Sequence, residues 1–84
     1  MELKWTGKAL SDLTRLYEFL SFVNKDAAAR TVWSFTTAPT SLIVNPRIGE
    51  KLDELEPREV RRILVGRYEV RYEIQASTIY VLWL

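Results

Sequence analysis

After a short alternating segment at the start of the chain, the hydrophobic residues recur with a helical period in the first half and with a strand period in the second. Apolar residues recur every three or four positions over Ala9–Val23, which predicts an amphipathic helix over Gly7–Val23. The alternating segment Glu2–Trp5 before it predicts a short strand, and Thr6 between the two is a suitable N-cap. The chain is therefore expected to start with a strand and a helix.

A second helix is expected next, with Asn24 ending the first helix and Asp26 as the N-cap of the second. Its predicted buried face consists of Val32, Phe35, Leu42 and Ile43. Pro39 interrupts this pattern, and an interior proline costs ~3 kcal/mol because it removes a hydrogen bond and clashes with the preceding turn. We therefore expect a kink or a break near Pro39, and an end to the helical region at Pro46 and Gly49.

From Glu59 onwards the period of the pattern is two. It predicts a strand over Val60–Val65, a tight turn at Gly66–Arg67 and a second strand over Tyr68–Ile74 with one apolar and one charged face. The apolar face should lie against the helices, and it consists of Tyr68, Val70, Tyr72 and Ile74.

The final strand, Thr78–Leu84, is apolar on both faces, so we expect it to be central or covered. The acid-rich segment Glu50–Glu56 predicts a solvated loop between the helices and the strands. The element order β-α-α-β-β-β predicts one α+β domain over residues 1–84, with a helical hairpin packed on a mainly antiparallel sheet.

Composition excludes several kinds of chemistry. The chain has no cysteine and no histidine, which excludes disulfides, thiolate sites, Ser-His-Asp catalysis and histidine-based zinc sites within it. It has no glycine-rich phosphate loop, and the carboxylates of Asp53, Glu54 and Glu56 are interpreted as solvated charge, so no metal or cofactor is predicted. The lack of cysteine and of a targeting segment indicates a cytoplasmic protein with no membrane association.

Charge is concentrated in one segment, although the net charge is only +1. Five of the eight arginines fall within fourteen residues: Arg58, Arg61, Arg62, Arg67 and Arg71. Two interpretations remain open for them, a surface for an anionic partner or the polar face of a sheet with cross-strand Arg–Glu pairs. Trp33, beside the predicted buried stripe of the second helix, is a further candidate for partner contact. The tyrosines of the strands are more typical of core packing than of base stacking.

The second half of the chain resembles the RelE/ParE superfamily of bacterial toxin–antitoxin toxins. The resemblance rests on the strand–turn–strand segment Val60–Ile74 and on the strand Thr78–Leu82 that follows it. The first half is similar to the opening strand and two helices of the family at Trp5, Ala9, Asp12, Leu13, Tyr17, Ala28, Ala29, Leu42, Pro46 and Gly49. The resemblance implies the same α+β fold that the pattern predicts.

The superfamily has two functional branches. RelE-like members cleave mRNA on the ribosome with a cluster of lysine, arginine and tyrosine, whereas ParE-like members inhibit DNA gyrase by binding. In an ungapped alignment on Tyr68, Val60 and Arg62 stand where RelE-like enzymes carry lysines, and Glu69 stands where they carry an arginine. The resemblance therefore implies a ParE-like toxin without catalytic residues. The alternatives are a RelE-like endonuclease and a non-toxic member that only binds its antitoxin.

The resemblance also implies partners. They are a cognate antitoxin and, as target, DNA gyrase, with no sequence-specific DNA binding by this chain itself. An acidic amphipathic helix of the antitoxin could cover both the tryptophan-bearing surface and the arginine-rich segment. Because the sequence ends at Leu84, inside an apolar strand, we expect that a native C-terminal tail is absent from it.

Overall fold

The helices lie on one face of a five-stranded sheet in the computed structural model, which describes all 84 residues. The elements in chain order are β1 (Glu2–Trp5), α1 (Gly7–Ser21), α2 (Lys25–Thr37), α3 (Ser41–Val44), β2 (Glu50–Lys51), β3 (Glu59–Val65), β4 (Tyr68–Gln75) and β5 (Thr78–Trp83). Short 3₁₀ turns span Ala38–Thr40 and Asp53–Leu55. The strand order is β1-β5-β4-β3-β2, and only the β1–β5 pair is parallel. The α+β fold and its mainly antiparallel sheet are confirmed.

Of the two N-caps predicted from the sequence, the structure confirms Thr6 for α1 and contradicts Asp26 for α2. Thr6 caps α1, because its hydroxyl oxygen accepts a hydrogen bond from the Ala9 N–H at 3.2 Å. The predicted cap at Asp26 is wrong: Asn24 is the N-cap of α2, and its side-chain oxygen accepts from Asp26 N at 2.9 Å and Ala27 N at 3.1 Å. Asn24 therefore starts the second helix from an extended backbone conformation, and α1 already ends at Ser21.

Pro39 divides the second helical region as expected. The α-helix ends at Thr37, a 3₁₀ turn carries the proline near its start, and α3 follows at once. Pro39 and Leu42 are both fully buried. The break therefore turns the chain so that α3 continues to cover the sheet, rather than letting it leave the core.

The core lies between the helices and the apolar face of β4. One cluster contains Ala9, Phe35, Val65, Val70 and Val81, and the other contains Leu42, Tyr72, Ile74 and Ile79. The ring of Phe35 packs on Tyr68 with the centroids 5.4 Å apart and the planes tilted by 54°. The predicted orientation of β4 is therefore confirmed, and β5 is central between β1 and β4 as expected.

The acid-rich segment Glu50–Glu56 differs from the predicted loop. Glu50 and Lys51 pair with Arg62 and Arg61 as the edge strand β2. Leu52, the only apolar residue among these acids before Leu55, is 6% exposed, and its N–H donates to the Val60 carbonyl at 2.9 Å. One buried leucine thus holds an otherwise charged segment against the sheet.

A buried tyrosine connects this edge to the end of the helical region. The Tyr72 hydroxyl donates to the Pro46 carbonyl at 2.7 Å and accepts from the Gly49 N–H at 3.0 Å. Burial raises the pKa of Tyr72, since the phenolate would be poorly solvated at this position. Position 49 requires glycine because its backbone lies close to β3 and β4. A Cβ there would lie 2.5 Å from the Tyr72 hydroxyl oxygen and 2.7 Å from the Arg62 carbonyl oxygen.

Gly49→Ala should destabilise the protein by ~1–3 kcal/mol, because the added methyl group overlaps the tyrosine hydroxyl and the β3 backbone. Urea unfolding monitored by tryptophan fluorescence measures the loss. Gly7→Ala is the matched control, since a Cβ there meets nothing within 4 Å and helix propensity favours alanine by up to ~1 kcal/mol. Equal stability of the two variants would show that the close approach at Gly49 has no energetic weight.

Candidate partner-binding surfaces

The outer face of the sheet, opposite the helices, carries a chain of alternating charges. The Arg62 guanidinium donates to Glu50 at 2.9 and 3.1 Å and to Glu69 at 2.8 Å. Arg71 donates to the other oxygen of Glu69 at 2.6 Å and lies over the ring of Trp83 at 5.4 Å. Hydrogen bonds from Arg71, and then from Arg62, hold the pKa of Glu69 below its usual value. The charges on this face therefore neutralise one another.

A second pair closes the far end of the same face. Arg58 donates to both oxygens of Glu73, at 2.8 and 3.1 Å, in a bidentate arrangement. Glu73 is only 5% exposed, and Val60 opposite it in the register is fully buried, although the alternating pattern placed Glu73 on a charged, solvated face. The Arg58 hydrogen bonds hold the pKa of Glu73 below its usual value despite burial.

Arg61 lies on the other face of β3 and supports the backbone of the neighbouring segment. It donates to the Gly49 carbonyl at 2.8 Å and to Glu59 at 3.0 Å. Glu59 also binds Arg47 at 2.9 Å. Hydrogen bonds from Arg47, and then from Arg61, keep the pKa of Glu59 low. Arg61 is thus engaged in holding the edge of the sheet in place.

Arg67 is the exception among the five arginines of the segment. It lies in the β3–β4 turn, is exposed, and forms neither a hydrogen bond nor an ion pair within the chain. It lines a small cleft with Tyr68, Thr31 and Ser34. The structure therefore places four of the five arginines in ion pairs and leaves one available for a partner.

Helix α1 carries an apolar surface that the fold does not cover. Of its fifteen residues only Ala9 is fully buried. The sequence pattern predicts a wider apolar stripe, which consists of Ala9, Leu10, Leu13, Leu16, Tyr17, Leu20 and Val23. On one side, a groove of about 320 Å³ is lined by Asp12, Arg15, Leu16, Phe19, Tyr68 and Leu84. On the other side, a groove of about 310 Å³ between α1 and α2 is lined by Leu13, Thr14, Tyr17 and Val32. The helix is thus flanked by two apolar grooves.

The last turn of α1 and the connection to α2 extend this apolar surface. Phe19 is 68% exposed and Phe22 is 92% exposed, and Val23 follows them. Trp33, the sequence candidate on α2, is 67% exposed and next to Val32 of the second groove. Phe19 and Phe22 fall outside the stripe recognised from the sequence. An apolar arc wider than one helix face was the available signal for them.

The end of β5 is fixed at the mouth of the first groove. Asp12 accepts a hydrogen bond from the Leu84 N–H at 3.3 Å and binds Lys8 at 2.9 Å and Arg15 at 2.7 Å. These hydrogen bonds lower the pKa of the Asp12 carboxyl, and the one from Lys8 has the largest effect. The groove therefore has an apolar floor and a charged rim.

The remaining surface offers little further chemistry. No cluster of three or more acidic side chains is placed to hold a metal ion. None of the helices is both long enough and apolar enough to cross a membrane. The geometry is that of an exposed apolar surface on α1 and, on the opposite side of the sheet, a charge-neutralised face.

Replacing Arg58 with methionine should lower the free energy of unfolding at neutral pH, because the buried Glu73 carboxylate would lose its partner. In the wild type the pKa of Glu73 is lowered, so its contribution is complete above about pH 4.3 and is lost as the pH falls through the folded pKa. The difference in the free energy of unfolding between Arg58→Met and the wild type should therefore become smaller towards about pH 3.

Urea unfolding at both pH values measures this difference, with Glu73→Gln as the control background. In that background Arg58→Met should have a much smaller effect, and no pH dependence from this pair should remain. If Arg58→Met lowers the free energy of unfolding equally at both pH values in the wild-type background, the effect does not come from the pair with ionised Glu73.

Comparisons with known proteins agree with this architecture. The sequence matches the family described as "ParE toxin of type II toxin-antitoxin system, parDE" over residues 3–83. A solved structure, described as a chromosomal ParDE toxin–antitoxin system from P. aeruginosa, has the same fold with a TM-score of 0.78 and 24% identity, covering 99% of this chain and 91% of that one. No curated protein sequence matches. Because the family match spans almost the whole chain, the protein belongs to the ParE toxins of type II toxin–antitoxin systems.

Proposed function

We propose that this toxin acts in the cytoplasm by binding and inhibiting DNA gyrase, and that a cognate antitoxin neutralises it by folding onto α1. Family membership supports the toxin–antitoxin context. The observation that carries the antitoxin proposal is the uncovered apolar surface of α1 with its two grooves. The observation that favours binding over cleavage is the pairing of the arginines.

RNA cleavage without a metal needs a base for the 2′-hydroxyl, a cation for the phosphate and an acid for the leaving group. At the positions of the RelE-like lysines stand Val60, which is fully buried, and Arg62, which bridges two glutamates. Arginine, with a pKa above ~12, is a poor general base. Glu69 would in addition repel the scissile phosphate. These features support a binding inhibitor rather than the RelE-like alternative.

The grooves beside α1 define the chemistry of the antitoxin segment. A helix that presents leucine-sized residues at intervals of three and four would fill a groove floored by Leu16, Phe19 and Tyr68. Arg67 lines a neighbouring cleft that shares Tyr68 with this groove, and it has no ion-pair partner within the chain. An acidic residue on the polar side of the helix could pair with it. We therefore propose an amphipathic, acidic antitoxin helix.

Trp33 is proposed as an anchor for the target. Tryptophan is enriched among residues that dominate interfaces, and this one is 67% exposed on α2 without an aromatic partner. Arg67 is assigned to the antitoxin in this scheme, whereas Arg58, Arg61, Arg62 and Arg71 are engaged in ion pairs within the chain and are assigned to no partner.

The purified toxin should inhibit supercoiling by gyrase and leave the translation of a reporter unaffected. Trp33→Ala should weaken the inhibition by ~30-fold, as expected for the loss of an interface anchor worth about 2 kcal/mol. Leu64→Ala is the matched control, because Leu64 is 74% exposed on the sheet face opposite the helices. Ribosome-dependent cleavage of mRNA by the purified toxin would refute the gyrase proposal.

Phe19→Asp should weaken antitoxin binding by ~10–100-fold, because burial of a phenylalanine side chain contributes about 1.5–3 kcal/mol. Isothermal titration calorimetry with the antitoxin encoded beside the toxin gene measures the change. Leu64→Asp is again the control, since it introduces the same charge at an equally exposed apolar position away from the grooves. Comparable weakening by both variants would place the antitoxin elsewhere.

A further inference from the structure

The outer edge of β1 has backbone groups without partners. Within the β1–β5 pair, the Glu2 N–H donates to the Ser77 carbonyl at 3.0 Å and the Thr6 N–H donates to the Val81 carbonyl at 3.1 Å. Successive residues of a strand present their backbone groups to opposite edges, so those of Leu3 point away from β5.

The same alternation applies to Trp5, and β1 has no other neighbour in the sheet. The N–H and C=O groups of Leu3 and Trp5 therefore form no ladder with any strand of this chain, and no side chain bonds them. The two side chains themselves pack in the core. β1 is thus a well-fixed strand with one open edge, ready to pair with another strand.

The opposite edge of the sheet is not open in this way. β2 is only two residues long, both of them charged, and the chain turns away at Gly49, where Tyr72 and the β3 backbone leave no room for a side chain. Short, charged and interrupted edges are the usual protection against further pairing. The asymmetry singles out β1.

The charged residues of β1 make the strand complementary to a second copy of itself. Glu2 and Lys4 are on the outer face of the sheet, and neither forms an ion pair within the chain. If a second β1 lay antiparallel with Leu3 opposite Leu3, each Glu2 would face Lys4 of the other copy. Shifting the centre to Lys4 would instead place two lysines opposite each other. The strand is therefore complementary to itself in one register.

We propose that β1 pairs with β1 of a second copy of this chain about a twofold axis, which joins the two five-stranded sheets into one continuous sheet. The two Leu3 residues exchange N–H···O=C hydrogen bonds at the centre, flanked by a Glu2–Lys4 pair on each side. This association is independent of the gyrase and antitoxin proposals, since it uses neither groove of α1.

Helix α3 supplies apolar surface next to this edge. It contacts β1 and carries Ile43, which is partly exposed, and Val44, which is almost fully exposed. A twofold axis at Leu3 would bring the two copies of α3 towards each other on the helical side of the joined sheet. Strand pairing alone would bury little area, and this apolar patch adds the hydrophobic component that association needs.

The test measures the oligomeric state of the untagged full chain by analytical ultracentrifugation from about 10 µM to about 1 mM. The wild type should shift from monomer to dimer with concentration. Glu2→Lys and Lys4→Glu should each weaken the dimer by about tenfold or more, because both cross-strand pairs become repulsive. Neither residue has an intrachain ion pair to lose, and thermal unfolding of each variant confirms the fold.

An equimolar mixture of Glu2→Lys and Lys4→Glu should restore dimerisation, since a strand with two lysines then faces a strand with two glutamates. Amide exchange of Leu3 and Trp5 should slow in step with dimer formation. A monomer over the whole concentration range would overturn the proposal, as would a dimer that ignores the charge swaps. Protection of the Leu3 amide only after antitoxin is added would assign the edge to that partner instead and equally overturn self-pairing.

Discussion

The hydroxyl of Tyr72 is the contact on which the arrangement of this protein depends. It donates to the Pro46 carbonyl and accepts from the Gly49 N–H, in the segment between the end of α3 at Val44 and the start of β2. Because a buried hydroxyl must be bonded, the tyrosine fixes the path of the chain from α3 to β2. That path determines which residues of β2 meet β3, and Arg61 strengthens it by binding the Gly49 carbonyl. One side chain of β4 therefore contributes to the register of the edge, together with Arg61 and the buried Leu52.

The same register explains why charge that is segregated in the sequence is neutral in the structure. The acidic segment 50–56 and the arginine-rich segment 58–71 are adjacent along the chain, and β2 brings Glu50 beside Arg62. The Arg62–Glu50 pair is exposed and contributes little stability, whereas Arg58 binds the buried Glu73. Their main effect is to leave few free cations on the outer face of the sheet. Sequence analysis left a charged partner surface and a paired sheet face open. Arg58, Arg62 and Arg71 form ion pairs on that face, Arg61 forms one on the opposite face, and Arg67 forms none.

How much could be predicted depended on whether a feature was local. Periods of 3.6 and 2 predicted the element order and the inward face of β4, because backbone geometry alone relates spacing to side-chain direction. The cap at Asn24 was missed because Asn24 and Asp26 are both good caps and only their backbone conformations distinguish them. The burial of Leu52 and Glu73 depends on which segment of the chain packs across the sheet. The exposure of α1 depends on how much of the helical hairpin the sheet covers. The periodicity of hydrophobic residues reports only local backbone geometry, so it does not predict such long-range properties.

The distribution of buried residues connects the fold with its partners. Nearly half of the sequence is apolar, yet only 15 of 84 residues are buried, and large side chains such as Phe19 and Phe22 face solvent. A chain of this size buries only about 60% of its unfolded surface, so apolar area withheld from the core weakens a small reserve of stability. Any partner that binds only the folded toxin then adds to that reserve in proportion to the logarithm of its concentration over its dissociation constant. Exposed apolar surface on α1 therefore links recognition to stability: the residues that make the isolated chain less stable are those through which a partner can stabilise it.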